Sequence, residues 1–198
     1  MNVRMLSSQK EIYIKALEHK IKKCKRCSLA FTRRNPVVGE GNLDARIMFI
    51  GEAPGEQEDI QGKPFVGKSG QLLTKIIQAM GLSRDQVYIA NILKCHPPGN
   101  RDPYPQEIEN CLPYLFFQIE IINPEILVLL GRIAGIALFG PQFSITKMHG
   151  QILYFRGRKV IASFHPAYLL LNPKAKKLAW EDMKKVLTEL NLPIPGKK

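Results

Sequence analysis

The side chains of this sequence that are able to carry out chemistry are gathered in four short segments, each lying at or just after the end of an apolar, strand-like run. They are carboxylates, carboxamides and histidines, which transfer protons and stabilise charge in transition states. Because ligands of open α/β sheets bind at the carboxyl ends of the strands, we expect the four segments to line one cleft. The predicted cleft residues are Glu52, Glu56, Glu58, Asp59, Phe65, Asn91, His96, Asn100, Arg101 and His165.

The four cysteines form a second candidate site. Cys24 and Cys27 make a C-x-x-C pair, whereas Cys95 and Cys111 are separated by fifteen residues. In a reducing compartment, such a set indicates a metal site with four thiolates, and both zinc and an iron–sulfur cluster accept these ligands. The spacing disfavours zinc, because zinc ribbons usually close with a second C-x-x-C. Ordinary buried thiols are the alternative, since Cys111 also lies on an amphipathic helix.

The stretch GKPFVGKS fits the P-loop pattern, with Gly62, Gly67, Lys68 and Ser69 at the required positions. A P-loop follows directly on a buried strand, and its free backbone N–H groups surround phosphates. Here the preceding strand ends well before the first glycine, and Pro64 has no N–H to donate. We therefore disfavour a nucleotide-binding phosphotransferase and expect another explanation for this stretch.

Strand-like runs alternate along the chain with helix-like stretches, which predicts a mostly parallel sheet with helices on both faces. Apolar residues at helical spacing predict helices at 69–81 and 105–122, and a charged helix is expected at about 172–190. The strand-like runs are ARIMFIG (45–51), VYIANILKC (87–95), EILVLLG (125–131), QILYF (151–155) and KVIASF (159–164).

Composition limits the possible organisation and partners. The length favours one domain over residues 1–198, with an N-terminal helix and metal-binding segment at about 1–35 and a basic tail at about 191–198. Lysine and arginine number 29 against 17 acidic residues, a net charge of +12, which favours nucleic acid as the partner. A generally lysine-rich surface is the alternative. No apolar run is long enough to span a membrane and no signal peptide is recognisable, so we expect a cytoplasmic protein without membrane contact.

Long motifs of the chain resemble those of the family 4 uracil-DNA glycosylases, which are iron–sulfur enzymes of bacteria and archaea. The motifs are GEAPGEQEDIQGKPFVGKSGQLL, YIANILKCHPPGNRDP, FHPAYLL and the four cysteine positions. The resemblance implies a three-layer α/β/α fold with a central, mostly parallel four-stranded sheet. It also implies a [4Fe–4S] cluster on Cys24, Cys27, Cys95 and Cys111. The implied reaction is removal of uracil from single- or double-stranded DNA by a monomer, leaving an abasic site.

The same resemblance assigns residues to the base pocket. It places Glu52, Ala53, Pro54, Phe65, Asn91 and His165 around the uracil. Phe65 would stack on the flipped base, which explains GKPFVGKS as the loop that carries this ring into a helix. The Asn91 carboxamide would donate to O4 and accept from N3–H, a pattern that cytosine reverses. Phe65 as plain core and Asn91 as a residue that satisfies a buried turn are the structural alternatives.

For the reaction itself, His165 would donate to uracil O2 as negative charge develops there. Glu52 would polarise the attacking water or stabilise the positively charged sugar, with Glu58 as a second candidate. A capping or core role is the alternative for His165, and balancing nearby lysines is the alternative for Glu58. A glycosylase for another base, such as hypoxanthine or xanthine, and a non-catalytic nucleic-acid-binding module remain competing functions.

An apolar wedge is needed to fill the space that the flipped base leaves in the duplex. Leu169 or Leu170, in the loop after His165, is the predicted wedge. Many members of the family carry an arginine where this chain has Leu171, which puts one contact with the DNA backbone in doubt.

Overall fold

The computed structural model describes residues 5–196, so that residues 1–4 and 197–198 of the two predicted terminal segments lie outside the described part of the chain. The strands are β1 (Glu40–Gly41), β2 (Ile47–Gly51), β3 (Tyr88–Asn91), β4 (Ile126–Leu130), β5 (Ile152–Phe155) and β6 (Arg158–Ser163). The helices are α1 (Ser7–Lys22), α2 (Glu56–Gln61), α3 (Lys68–Ala79), α4 (Pro105–Ile122), α5 (Arg132–Phe139), α6 (Ile145–Met148), α7 (Pro166–Leu171) and α8 (Lys176–Glu189). Short 3-10 turns occupy Ser28–Phe31, Arg84–Gln86, Pro98–Asn100 and Pro173–Ala175.

The strands form one sheet in the order β1-β3-β2-β4-β6-β5. The inner four strands run parallel to one another, whereas β1 and β5 pair antiparallel with β3 and β6 at the two edges. The prediction of a mostly parallel sheet is therefore confirmed, but the sheet has six strands rather than four. Edge strand β5 lies within the predicted run QILYF, whereas β1 was missed because a strand of two residues forms no recognisable apolar run.

Helices cover both faces of the sheet, which confirms the three-layer arrangement. Successive residues of β2 point to opposite faces, as the twofold period of a strand requires. Met48 and Ile50 pack in the core that contains α4, and Phe49 packs in the core that contains α3 and α8. Strands β2, β3 and β4 are buried throughout and β6 over its last four residues, as expected for parallel strands covered on both sides.

Segments near both ends of the described part of the chain pack against this framework. Leu17 and Ile21 of α1 bury themselves against Ile121 of α4. In the predicted basic tail, Leu192 and Ile194 are partly buried against the core that contains α8, so this part of the tail is fixed. Within residues 5–196, no helix combines the length and apolarity needed to cross a membrane.

Candidate active site

A cleft of about 830 Å³ opens at the carboxyl ends of the central strands. Eight of the ten predicted cleft residues line it, namely Glu52, Glu56, Glu58, Phe65, Asn91, Asn100, Arg101 and His165. Ala53 and Pro54, which the family resemblance placed at the base, line it as well. Asp59 and His96 do not line it. Asp59 instead accepts hydrogen bonds from the backbone N–H groups of Arg34 and Asn35. His96 turns its Nε2 to Asn100 Oδ1, at 2.9 Å.

Asn91 ends β3 with its side chain in the floor of the cleft, where only 2% of the residue is exposed. Among the described residues, its Oδ1 has no hydrogen-bond partner. Gly51, at the end of the neighbouring β2, makes room for this carboxamide. A Cβ at position 51 would lie 2.3 Å from Asn91 Oδ1 and 2.5 Å from Phe65 Cζ. The glycine therefore allows the amide and the ring to meet.

Phe65 lies in a strained loop that the surrounding structure holds in place. Its φ of 52° belongs to the left-handed region, which is costly for an aromatic residue. Arg84 donates to the carbonyl oxygens of Pro64 and Phe65, at 2.8 and 3.1 Å. Gly70 completes the support, because a Cβ there would lie 2.0 Å from the Phe65 carbonyl. The ring is thereby fixed with its centroid 5.8 Å from that of His165.

His165 precedes α7 and caps its first turn. Its Nδ1 accepts a hydrogen bond from the backbone N–H of Ala167, at 3.2 Å. Burial lowers the pKa of His165 to about 4, so the imidazole is neutral near neutral pH. With Nδ1 used as an acceptor, the proton resides on Nε2. The residue therefore offers an N–H donor without carrying a charge.

Glu52 follows β2 immediately, and its carboxyl has an unusual proton affinity. Burial, together with the negative charge of Asp102, raises the pKa of Glu52 to about 7, while Arg132 acts in the opposite direction. Arg132 Nη2 and Asp102 Oδ2 form an exposed ion pair at 2.7 Å. Glu52 therefore changes its protonation state close to neutral pH, as a general base requires.

The P-loop alternative is contradicted by the local structure. Helix α2 stands between β2 and Gly62, whose φ of 69° ends that helix. The backbone N–H groups of Val66 and Gly67, which a P-loop would offer to phosphate, already donate to the carboxylate of Glu58. This engagement also removes Glu58 from the free bases of the cleft.

The wedge prediction is wrong for Leu169. This side chain is 1% exposed and packs with Phe164 and Ala179, because it lies on the inner face of α7. Leu170 and Leu171 line the cleft instead, with 42% and 83% of their surface exposed. The exposed apolar edge of the cleft therefore consists of these two residues.

All four cysteines line one small pocket beside the sheet. Arg33 Nη1 donates to Cys95 Sγ at 2.9 Å, and the backbone N–H of Lys94 donates to Cys111 Sγ at 3.2 Å. Among residues 5–196, no three or more His, Cys, Asp or Glu side chains form a group that could hold a metal ion. The thiols thus surround a common space without converging on a single point.

Lys94 connects this pocket with the cleft, and sequence reasoning missed it. Its side chain is 1% exposed, and its ammonium donates to the Asn91 carbonyl at 2.7 Å and to Gln118 Oε1 at 2.6 Å. Burial lowers the pKa of Lys94 to about 8, an effect opposed by the nearby Cys111 and Cys95. The one sequence signal was a lysine inside the otherwise apolar run VYIANILKC.

Comparison with known proteins gives one consistent family. The family model for the uracil DNA glycosylase superfamily matches residues 38–184. A type-4 uracil-DNA glycosylase of Thermotoga maritima is 47% identical over 180 residues, which cover 89% of this chain and 94% of the relative. Type-4 uracil-DNA glycosylases of Saccharolobus solfataricus and Archaeoglobus fulgidus are 48% and 44% identical, over 86% and 84% of this chain and 83% and 87% of theirs.

Proposed function

Because this chain belongs to the uracil-DNA glycosylase superfamily, we propose that it hydrolyses the N-glycosidic bond of uracil in DNA, leaving free uracil and an abasic site. The observation that carries this proposal is the orphaned Oδ1 of Asn91, which is buried in the cleft without a partner among the described residues. Buried polar atoms are almost always hydrogen-bonded, so a ligand donor is expected at this position. The N3–H of uracil is such a donor.

The same carboxamide provides selectivity against cytosine. Its amide group donates to uracil O4 while Oδ1 accepts from N3–H. Cytosine presents an amino group in place of O4 and an unprotonated N3 in place of N3–H. The amide donor of Asn91 would then face another donor, and its Oδ1 would face another acceptor. The Phe65 ring, 5.8 Å from the His165 ring, forms the adjacent wall on which the flipped base lies.

His165 and Glu52 supply the chemistry. The neutral imidazole donates its Nε2 proton toward uracil O2, where negative charge grows as the glycosidic bond breaks. Glu52, ionised as the pH rises through about 7, accepts a proton from the attacking water or stabilises the positive sugar. Water thus adds to the sugar carbon, and uracil departs as an anion that is later protonated.

Leu170 and Leu171 are the proposed wedge. Both are exposed at the edge of the cleft on α7, where they are able to enter the duplex while Leu169 stays in the core. An apolar side chain inserted into the base stack replaces the stacking that the extruded nucleotide loses.

The cysteine pocket suits a [4Fe–4S] cluster held by Cys24, Cys27, Cys95 and Cys111. The thiolates of such a cluster bind different iron atoms, so they need not converge on one point. The Arg33 guanidinium and the buried Lys94 supply positive charge and N–H donors beside the sulfurs. When bound, the cluster would join the end of α1, the segment after β3 and α4 into one rigid unit.

We further propose that residues 1–198 act as one domain and as a cytoplasmic monomer on uracil-containing DNA, in single or double strands. The high net charge of +12 supports a polyanionic partner.

The direct test is incubation with matched oligonucleotides that contain uracil, thymine or hypoxanthine, in single and double strands, followed by alkali cleavage. We expect strand breaks only at uracil. Breaks at hypoxanthine with none at uracil would establish the rival base preference, and an absence of breaks in all substrates would refute the enzymatic function.

A further inference from the structure

Glu58 lies in the wall of the cleft, and both of its carboxylate oxygens accept hydrogen bonds from the backbone. We propose that it is a positioning residue that fixes two walls of the base pocket by filling an anion-binding site made of backbone N–H groups. This inference rests on the proposed function, since it concerns the pocket in which the base is bound.

The carboxylate joins two loops that are separate in the sequence. Its Oε1 accepts hydrogen bonds from the N–H groups of Val66 and Gly67, at 2.8 and 2.9 Å. Its Oε2 accepts one from the N–H of Gly55, at 3.0 Å. Gly55 ends the loop that starts at Glu52, and Val66 follows the ring-bearing Phe65. One side chain therefore sets the distance between these two loops.

The close approach depends on glycine. This holds for Gly55, because a Cβ there would lie 2.7 Å from Glu58 Oε2. Glu58 itself is 7% exposed, so water competes little for its oxygens. Hydrogen bonds from backbone N–H groups to a charged acceptor are roughly twice as strong as neutral ones.

This arrangement explains why the stretch imitates a P-loop. Gly67 is the N-cap of α3, and the start of a helix attracts anions through its free N–H groups. In a P-loop the anion is a phosphate of the ligand. Here the chain supplies its own anion, and the binding energy holds the Phe65 loop against the Glu52 loop.

Glu58→Gln tests the proposal, because glutamine keeps the shape but turns an amide donor toward N–H donors. Asp59→Asn is the matched control. Asp59 is the next residue of α2, is also buried, and also accepts backbone N–H bonds, but from Arg34 and Asn35 outside the cleft. The measurements are thermal unfolding, affinity for uracil-free DNA, single-turnover cleavage of uracil-containing DNA, and inhibition by free uracil.

We expect Glu58→Gln to lower the single-turnover rate on the order of 100-fold, because displacements near 1 Å have that effect. The inhibition constant of free uracil should rise about tenfold, because losing a charged hydrogen bond of that magnitude loosens the two loops that form the base pocket. Affinity for uracil-free DNA should stay unchanged. Asp59→Asn should lose thermal stability yet keep the rate and the uracil inhibition of the wild type.

Chemical rescue provides a second measurement. Glu58→Ala leaves the three N–H groups unoccupied, so added formate should restore part of the cleavage rate, whereas chloride at equal ionic strength should not. If Glu58→Gln fails to fold, Glu58→Asp takes its place, since its carboxylate is one methylene too short to hold both loops. Wild-type rate and uracil inhibition in the folded variant would overturn the proposal. An inactive wild-type protein would instead refute the proposed function.

Discussion

Glu52→Gln should make the protein more stable at alkaline pH while removing its activity. Burial keeps the pKa of Glu52 at about 7, well above its ordinary value of 4.5. The folded state therefore holds the proton over a pH range in which the unfolded chain has already lost it. The resulting stability is fully present below pH 4.5 and is lost as the pH rises through about 7.

The size of the effect follows from the two pKa values. Each pKa unit corresponds to about 1.4 kcal/mol, so the free energy of unfolding falls by up to about 3.5 kcal/mol between acid pH and pH 8. Solvent screening at this partly exposed carboxyl reduces the expected loss to about 2 kcal/mol. Glutamine has the shape of the protonated acid but does not ionise. The free energy of unfolding of the variant should therefore not fall in this way as the pH rises.

Urea unfolding of both proteins at pH 5 and pH 8 measures the difference. We expect the variant to exceed the wild type by about 2 kcal/mol at pH 8 and by well under 1 kcal/mol at pH 5. Glu56→Gln is the control, because it removes an exposed carboxylate from the same wall of the cleft. It measures how far the loss of any one negative charge changes the free energy of unfolding of this basic protein. An equal difference at both pH values would refute a raised pKa at Glu52.

Four other outcomes are expected. Asn91→Asp should cleave uracil more slowly and begin to cleave cytosine, because a protonated carboxyl matches the cytosine pattern; unchanged selectivity on paired oligonucleotides would assign base recognition to another residue. His165→Ala should lower the single-turnover rate on the order of 100- to 1000-fold with little loss of DNA affinity, and a wild-type rate would remove this histidine from the mechanism. The purified protein should be brown, and Cys95→Ala should lose the visible absorbance and unfold at lower temperature; a colourless protein with one zinc per chain would exclude the cluster. Affinity for duplex DNA should fall steeply with salt, and a flat dependence would disconnect the basic surface from phosphate binding.

The central elements were predictable because their burial imposes a period on the sequence. Helix α4 occupies the predicted range of 105–122, and β2 lies within ARIMFIG. The position of the polar residues that end the strands was predictable for a different reason, because a parallel sheet brings the carboxyl ends of its strands to one edge. Asn91 and His165 therefore meet in the cleft as expected.

Other features depend on information that a linear pattern does not contain. Three consecutive leucines follow Tyr168, and only the orientation of the six-residue helix α7 decides that Leu169 is buried while its neighbours are exposed. The carboxylate of Glu58 binds backbone N–H groups, which every non-proline residue possesses, so the side chains nearby give no sign of it. The P-loop pattern coincides with a segment whose backbone N–H groups do bind an anion, but the anion is the carboxylate of Glu58 and not a phosphate.

The order of the cysteines along the chain has a consequence during translation. Cys24 and Cys27 leave the ribosome first, but the other members of their pocket, Cys95 and Cys111, emerge only after β2, α3 and β3 have been made. The nascent chain therefore carries Cys24 and Cys27 without their partners until residues 95 and 111 have been made. A product truncated before Cys95 would lack two of the four thiols that line the pocket. The complete pocket is therefore able to form only after synthesis has reached α4, the helix that carries Cys111.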